Sequence, residues 1–343
     1  MSLAKVLDID GALLHQSLYT WVDVRSESEF ARAHIPGSVN IPILNNEERI
    51  SVGTTYKEKG REMAVGIGLQ LVGPRFNALY QSFLLLENTH GKPLLFYCWR
   101  GGLRSQIAAT LMQWSGRKGF VIQGGYKSFR QWVLETLKLP KSILLLSGST
   151  GSGKTEILHM LREKGLSVLD LEGLASHKGS ALGGIGMPAQ PRSELFENSI
   201  ALEWAKFGST ASVFIENESK LIGHCVIPES LWLQMQSAKI IEIQVPKSTR
   251  IQRILDEYSH LPLDQLQERT AKLRKRLGGQ NEQLAQQALL DGNFTLWVTT
   301  LLVYYDKTYA HFYFPRNTPS DSVVWDWEQK ENSLLNLLKH KTP

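Results

Sequence analysis

The sequence has few cysteines: Cys98 and Cys225 are the two in 343 residues. Two thiols cannot make a disulfide framework, so a reducing compartment, the cytoplasm, is expected. Long hydrophobic runs are also missing. The stretch "LWVTTLLVYY" (Leu296 to Tyr305) is about half the ~20 residues that a membrane span needs. The opening "MSLAKVLDIDGALLHQ" lacks the basic-then-apolar signature of a secretory leader, so no membrane partner is expected. There are no internal repeats and no low-complexity tracts. Charge of either sign is modest, 38 Lys+Arg against 33 Asp+Glu, a formal net of +5. The excess is uneven. Residues 1–139 hold 16 basic against 11 acidic residues, and the remainder holds 22 of each. A second local cluster is "KLRKR", Lys272 to Arg276. Such a balance is compatible with a polyanion such as RNA, but alone it says no more than a slightly basic solvated surface.

The remaining composition, 42% hydrophobic and 21% charged, is that of a globular protein long enough for two domains. "TWVDVRS" reads as a short buried strand, followed by the serine-capped helix "SESEFARAHI" and the turn "PGSVNIPI". "HGKPLLFYC" is a second strand, "RSQIAATLMQW" a helix with apolar spacing near 3.6, and "KGFVIQGGY" a third strand ending in a double glycine. Near Leu139–Lys141 the pattern restarts. "SILLLSGSTGSGKTEILHMLREKG" is strand, glycine loop and helix, and "LSVLDLEG", "ASVFIENES" and "KIIEIQVP" supply further strands. From Lys247 onward the reading is helical, and the aromatics Trp297, Tyr304, Tyr305 and Tyr309 fall at spacings that suit core packing. The fold class expected is α/β: a parallel-sheet domain over 1–139, then a P-loop NTPase-like domain over 140–343 with a helical region from about 247.

Two strand–loop–helix turns carry the chemistry, since each can aim backbone N–H groups at an anion. The first is "FYCWRGGLRS". A thiol is a useful nucleophile only as thiolate, a form favoured by helix N-termini and nearby arginines. Cys98 ends a strand before a helix, with Arg100 and Arg104 close by and two glycines that let the loop curl. An inert core cysteine would not be followed by "WRGGLR". The second turn is "GSTGSGKT". It satisfies the P-loop pattern with Gly148, Gly151, Ser152, Gly153, Lys154 and Thr155, in the strand-to-helix setting the motif needs. Its N–H groups and Lys154 would hold phosphates, and Thr155 could hold Mg²⁺. Asp170 and Glu216, at later strand ends, are the acidic partners ranked first, with Glu172 and Glu218 behind them. The glycine-rich, aperiodic segment Ala175 to Ser193 reads as a substrate-contacting lid, with plain disorder as the alternative.

"DVRSESEFARAHIPGSVNIPI" followed by a strand-borne "YCWRGG" resembles a rhodanese domain, a fold that carries sulfur or selenium on its cysteine. The Cys98-to-Arg104 spacing is one residue longer than in common sulfurtransferases, and rhodanese-fold phosphatases share it. That leaves sulfurtransferase and phosphatase open from the loop alone. With "GGYKSFR", "GSTGSGKT", "LDLEGLASHKGSALG" and "IENES" in that order, residues 15–230 resemble the bacterial tRNA 2-selenouridine synthase family. The resemblance implies a transferase that turns wobble 2-thiouridine into 2-selenouridine through an S-geranyl intermediate. Its substrates would be geranyl diphosphate and selenophosphate, with no tightly bound cofactor, and a selenophosphate-supplying enzyme is a possible partner. RNA contacts expected on this reading are Trp99 and Tyr126 for an unstacked base, and Lys127, Lys178, Lys272, Arg274, Lys275 and Arg276 for phosphates. The rivals are an ATP-dependent kinase with a regulatory rhodanese half, and an RNA-binding module whose catalytic loop is degenerate.

Overall fold

The computed structural model describes residues 5–312 and 320–341, and the chain divides into two compact units, Met1–Thr136 and Leu137–Pro343. Each unit is built on its own five-stranded sheet in which every pairing is parallel. No helix among the described residues is long and apolar enough to cross a membrane.

In the first unit the strands are β1 (Lys5–Leu7), β2 (Thr20–Asp23), β3 (Val39–Asn40), β4 (Leu94–Tyr97) and β5 (Gly119–Ile122). They lie in the order β1-β5-β4-β2-β3. The segments TWVD, LLFY and GFVI are buried throughout, as a parallel sheet covered on both faces requires. Val22, Phe96 and Val121 pack with Phe83, Ala108 and Met112 from the helices Phe76–His90 and Leu103–Trp114. The helix Glu27–Arg32 starts at Ser26 with a capping box to Glu29, where the serine and the acid three residues on predict it. β1 was not expected. It is three residues long with two of them exposed, too short for any hydrophobic period to register.

The second unit holds β6 (Ser142–Ser147), β7 (Val168–Leu169), β8 (Ser212–Glu216), β11 (Lys239–Gln244) and β12 (Ser320–Val324) in the order β12-β11-β6-β8-β7. A small antiparallel pair, β9 (Leu221–Ile222) and β10 (Cys225–Val226), stands apart from it. The helical reading from Lys247 onward therefore needs a correction. Helices do run Lys247–Tyr258, Leu263–Lys272, Gly279–Leu290 and Phe294–Phe312, but the chain then returns to the sheet as β12, with Ile240 opposite Ser320. An edge strand reading SDSVV is half polar and carries little strand signal. The helices close on an apolar cluster around Leu266, Trp297 and Leu302. Trp297 is fully buried, and its Nε1 donates to Thr270 Oγ1 at 3.1 Å. The end of the aromatic run, Tyr313 and Phe314, lies outside the described residues.

β4 and β6 are the middle strands of their sheets. The carboxyl end of an inner parallel strand is where the following loop can curl around a ligand. Cys98 follows the first directly, and Gly148 follows the second.

Candidate functional sites

In the first unit Cys98 lies at the floor of its loop, 4% exposed. Its Sγ accepts the Gly102 N–H at 3.2 Å and lies 3.3 Å from Ser105 Oγ. Gly102 is the residue before the helix Leu103–Trp114, so the sulfur sits at that helix's N-terminus, where partial positive charge favours an anion. The double glycine after β5 backs the loop. Tyr126 N–H donates to the Cys98 carbonyl at 2.8 Å and Lys127 N–H to the Trp99 carbonyl at 3.0 Å. Gly125 has φ +60, and a Cβ there would overlap the Cys98 carbonyl oxygen and lie 2.5 Å from Gly101 N. Glycine is required by both tests.

The residues around this loop divide between binding and bracing. Asp23 and Arg25 are a buried ion pair at 2.6 Å, and Arg25 also reaches the Ala33 carbonyl at 2.8 Å. Tyr97 OH joins Ser38 Oγ at 2.7 Å and accepts the Ile35 N–H at 3.2 Å, which fixes the turn of "AHIPGS". Arg104 is committed to Glu29 at 2.7 Å, not free above the thiol. Burial pushes the Glu29 carboxyl up, but hydrogen bonds and charge from Arg104, with help from Ser26 and Arg49, outweigh that and hold it below its usual range. Tyr126 is fully buried beneath the Arg25 guanidinium, 3.9 Å from its ring centroid, so the expectation of a base stacked on it is corrected. Trp99 is 42% exposed, and Arg100 and Lys127 are exposed beside it.

In the second unit the phosphate loop runs from Gly148 into the helix Lys154–Glu163. Lys154 Nζ donates to the Gly148 carbonyl at 2.9 Å, which closes the loop on itself. Thr155 Oγ1 donates to Glu172 Oε2 at 2.9 Å. The ranking of acids is therefore inverted. Asp170 accepts from Gly173 N at 2.7 Å as the cap of the helix Leu171–Ala175 and pairs with His159 at 3.0 Å. Glu216 accepts the Leu171 N–H at 3.0 Å. Its burial, beside the charges of Asp170 and Glu172, drives its carboxyl well above the usual range. Glu172 and Glu218 are the pair against Lys154 and Thr155, and burial together with Glu218's charge pushes Glu172 up to about 8. These oxygen donors suit a hard cation such as Mg²⁺. Among the described residues no group of three His, Cys, Asp or Glu has the arrangement of a metal site by itself.

The segment Ala175 to Ser193 packs against the helices of this unit. Leu182 and Ile185 are buried in the helical cluster, and Gln190 Nε2 donates to the Ala175 and Ile222 carbonyls, both at 3.0 Å. Gly179 lies close over the carboxylates of Glu172 and Glu218. Lys178, expected to meet RNA, is tied to Glu257. In "KLRKR", Lys272 pairs with Glu268 at 2.5 Å, while Leu273 and Leu277 are buried and leave Arg274, Lys275 and Arg276 exposed.

Several loop neighbours were not visible in the sequence. Tyr309 OH lies 2.7 Å from Ser147 Oγ at the end of β6, so it is more than packing. The helix Lys247–Tyr258 sends Arg250 to the Thr150 carbonyl at 2.9 Å and to Asp306 at 2.5 Å. One turn on, Arg253 stacks on Trp327, 3.7 Å from its ring centroid. The only signal for them was the pair of arginines three apart in "STRIQRIL", which by itself marks nothing.

Residues 11–131 match the rhodanese-like domain, and residues 141–331 match the family described as the tRNA 2-selenouridine synthase AAA domain. The chain belongs to the tRNA 2-selenouridine synthase family. It is 37% identical to the protein of that name from Shewanella sp. (strain MR-7) over 84% of this chain and 86% of the relative. Identity is 39% to the Nitrosomonas eutropha protein, over 78% of this chain and 71% of the other. The protein from Shewanella loihica is 34% identical over 84% of this chain and 86% of its own length.

Proposed function

We propose that this chain replaces the sulfur of wobble 2-thiouridine in tRNA by selenium, through an S-geranyl intermediate. The observation that carries the reading is the pairing, in one chain, of two anion-binding loops of different chemistry. One has a thiol at its floor and the other a lysine and a threonine. A route with two anionic donors needs both.

Geranyl diphosphate belongs to the phosphate loop. The 2-thiouridine sulfur attacks C1 of the geranyl group, the C–O bond breaks, and its electron pair leaves with the diphosphate. Lys154 and the loop N–H groups stabilise that developing charge. The N3 proton is lost, and the product is neutral S-geranyl-2-thiouridine. Mg²⁺, when bound with the diphosphate, would be held by Thr155 and Glu172 and would supply further charge neutralisation. Selenophosphate belongs to the thiol loop, where Cys98 handles the selenium. The selenium of selenophosphate adds to C2, and geranyl thiolate leaves with the C–S electron pair. Water then attacks phosphorus, so that the P–Se bond breaks to give inorganic phosphate and 2-selenouridine. Trp99, exposed beside Cys98, supports an unstacked base, and Arg274, Lys275 and Arg276 support the RNA backbone. The reading places the enzyme in the cytoplasm beside an enzyme that supplies selenophosphate.

The test is nucleoside mass spectrometry on 2-thiouridine tRNA incubated with the purified protein. The expected result is 2-selenouridine only when both donors are present, and S-geranyl-2-thiouridine with geranyl diphosphate alone. Full conversion without geranyl diphosphate would overturn the route, and no conversion under any condition would overturn the assignment.

A further inference from the structure

The phosphate loop has a second wall that the motif does not contain. Gly153 has φ +84, and a Cβ there would overlap the indole of Trp327 and lie 2.7 Å from Arg253 Nη2. The guanidinium and the indole are thus pressed against the residue that precedes Lys154. They come from distant parts of the sequence, one from the helix Lys247–Tyr258 and the other from the segment after β12.

The wall is short of acceptors. Arg253 Nε and Trp327 Nε1 are both buried donors without a hydrogen-bond partner among the described residues. So is Ser152 Oγ inside the loop. A buried donor left unpaired is costly, so the Arg253 and Trp327 donors pressed against Gly153 call for an acceptor, and Ser152 Oγ adds a further donor beside Gly148. The charge agrees. Glu156 takes Arg253 Nη2 at 2.7 Å and Lys330 Nζ at 2.9 Å, one carboxylate between two cations. Burial pushes Glu156 up, but the bonds from Lys330 and Arg253 outweigh it and hold the carboxyl below its usual range. Lys154 faces Glu172 and Glu218, so the surplus at the Gly153 wall is that of Arg253 and Lys330 over the single carboxylate of Glu156.

Arg250 is the internal contrast. It sits one turn earlier on the same helix, with Nε on the Thr150 carbonyl and its far nitrogen on Asp306, and its side chain is 8% exposed. It braces the loop through these two bonds. Arg253 keeps its Nε–H unpaired among the described residues and has a more open side chain, 27% exposed.

We propose that Arg253 and Trp327 form the outer half of a diphosphate subsite, donating to the phosphate farther from Lys154. This rests on the reading of the phosphate loop given above and adds two binding residues to it. The ligand chemistry is an organic diphosphate carried on a prenyl group, as opposed to a nucleoside.

The experiment is calorimetric titration of the full-length protein with inorganic pyrophosphate, geranyl diphosphate and ADP. The variants are Arg253→Gln, Arg253→Lys and Trp327→Phe. Loss of charge-assisted bonds predicts pyrophosphate and geranyl diphosphate binding weakened roughly 10- to 100-fold in Arg253→Gln. Arg253→Lys should recover part of that loss, and Trp327→Phe, which removes an N–H and keeps a ring, should cost a few-fold. If Arg253→Gln does not fold, the other two variants carry the same comparison. Pyrophosphate affinity unchanged in all folded variants, with only the melting temperature lowered, would make the stack structural and overturn the proposal. A loss confined to ADP would assign the wall to a nucleoside and overturn it equally. Pyrophosphate binding that depends on Arg253 in a protein unable to transfer geranyl groups would sustain the subsite and sink the geranyl route instead.

Discussion

The two loops share a plan and differ in how they are armed. Both follow the middle strand of a five-stranded parallel sheet, both end at a helix N-terminus, and both depend on a left-handed glycine pressed against neighbouring groups, Gly125 in one and Gly153 in the other. The thiol loop is braced by its own backbone. The Gly124–Gly125 turn holds it, and Arg104 is committed to Glu29. The phosphate loop is braced by side chains from elsewhere: Arg250 on its carbonyl, Glu172 on Thr155, Trp327 and Arg253 on Gly153. A loop that holds a thiol at its floor needs a fixed backbone. A loop that grips a leaving diphosphate needs donors from several directions.

The comparison breaks most decisively at the thiols. Cys98→Ala should abolish 2-selenouridine and leave S-geranyl-2-thiouridine to accumulate, as read by nucleoside mass spectrometry. Cys225→Ala should leave selenation within about twofold, a small effect beside the 10²–10³-fold losses typical of catalytic groups. Burial pushes the Cys225 thiol up to about 11, and its Sγ donates to the Pro191 carbonyl at 3.2 Å, so it is held as an inert thiol. Undiminished selenation by the Cys98 variant contradicts the division of labour.

A smaller effect sharpens the backbone argument. Gly125→Ala forces a side chain into the Cys98 carbonyl at a left-handed φ and should cost about 2–4 kcal/mol in urea unfolding. Gly37 has φ +85 but nothing within 4 Å, so Gly37→Ala should cost only about 1 kcal/mol. Equal costs at the two sites would mean that the close approach is not what fixes Gly125.

The RNA-facing residues come next. Reversing Arg274, Lys275 and Arg276 to Glu should reduce the salt dependence of tRNA affinity by roughly 0.7–0.9 in slope per lost phosphate contact, for all tRNAs alike. Trp99→Ala should weaken binding by about 1–3 kcal/mol and leave the slope unchanged. A salt slope unaltered by the charge reversal would return those residues to a solvated face.

The smallest effect is on acid stability. Glu29 has a depressed folded-state pKa, so its pairing with Arg104 contributes above the unfolded pKa near 4.3 and is lost as pH falls through the folded value. Partial exposure limits the contribution to about 1 kcal/mol. Glu29→Gln should therefore narrow the gap in melting temperature between neutral and acid pH. An unchanged gap would show that the pair contributes nothing to stability.

Both loops were legible because each is a buried apolar strand running into a glycine motif, and the fold class followed from the strand–helix alternation around them. β1 and β12 were not legible. Both are edge strands paired on one side, and their sequences, KVL and SDSVV, carry little burial signal. The choice among acids failed for a geometric reason. Asp170 and Glu172 are two residues apart, and once Asp170 caps the helix Leu171–Ala175 the next acid turns toward Thr155. Tyr126 looked like a free aromatic until Arg25 covered it. Arg253 and Trp327 meet only through the tertiary fold.

The most direct test of the central claim, one anion loop for each chemical step, is to give Lys154→Ala two RNAs and analyse the nucleosides by mass spectrometry. With 2-thiouridine tRNA and both donors, geranylation and hence selenation should fall by about 10²–10³-fold. With tRNA already carrying S-geranyl-2-thiouridine, the same variant should form 2-selenouridine from selenophosphate at close to the unmodified protein's rate. Equal loss on both RNAs would contradict the account, because the phosphate loop would then serve both steps or hold the RNA itself.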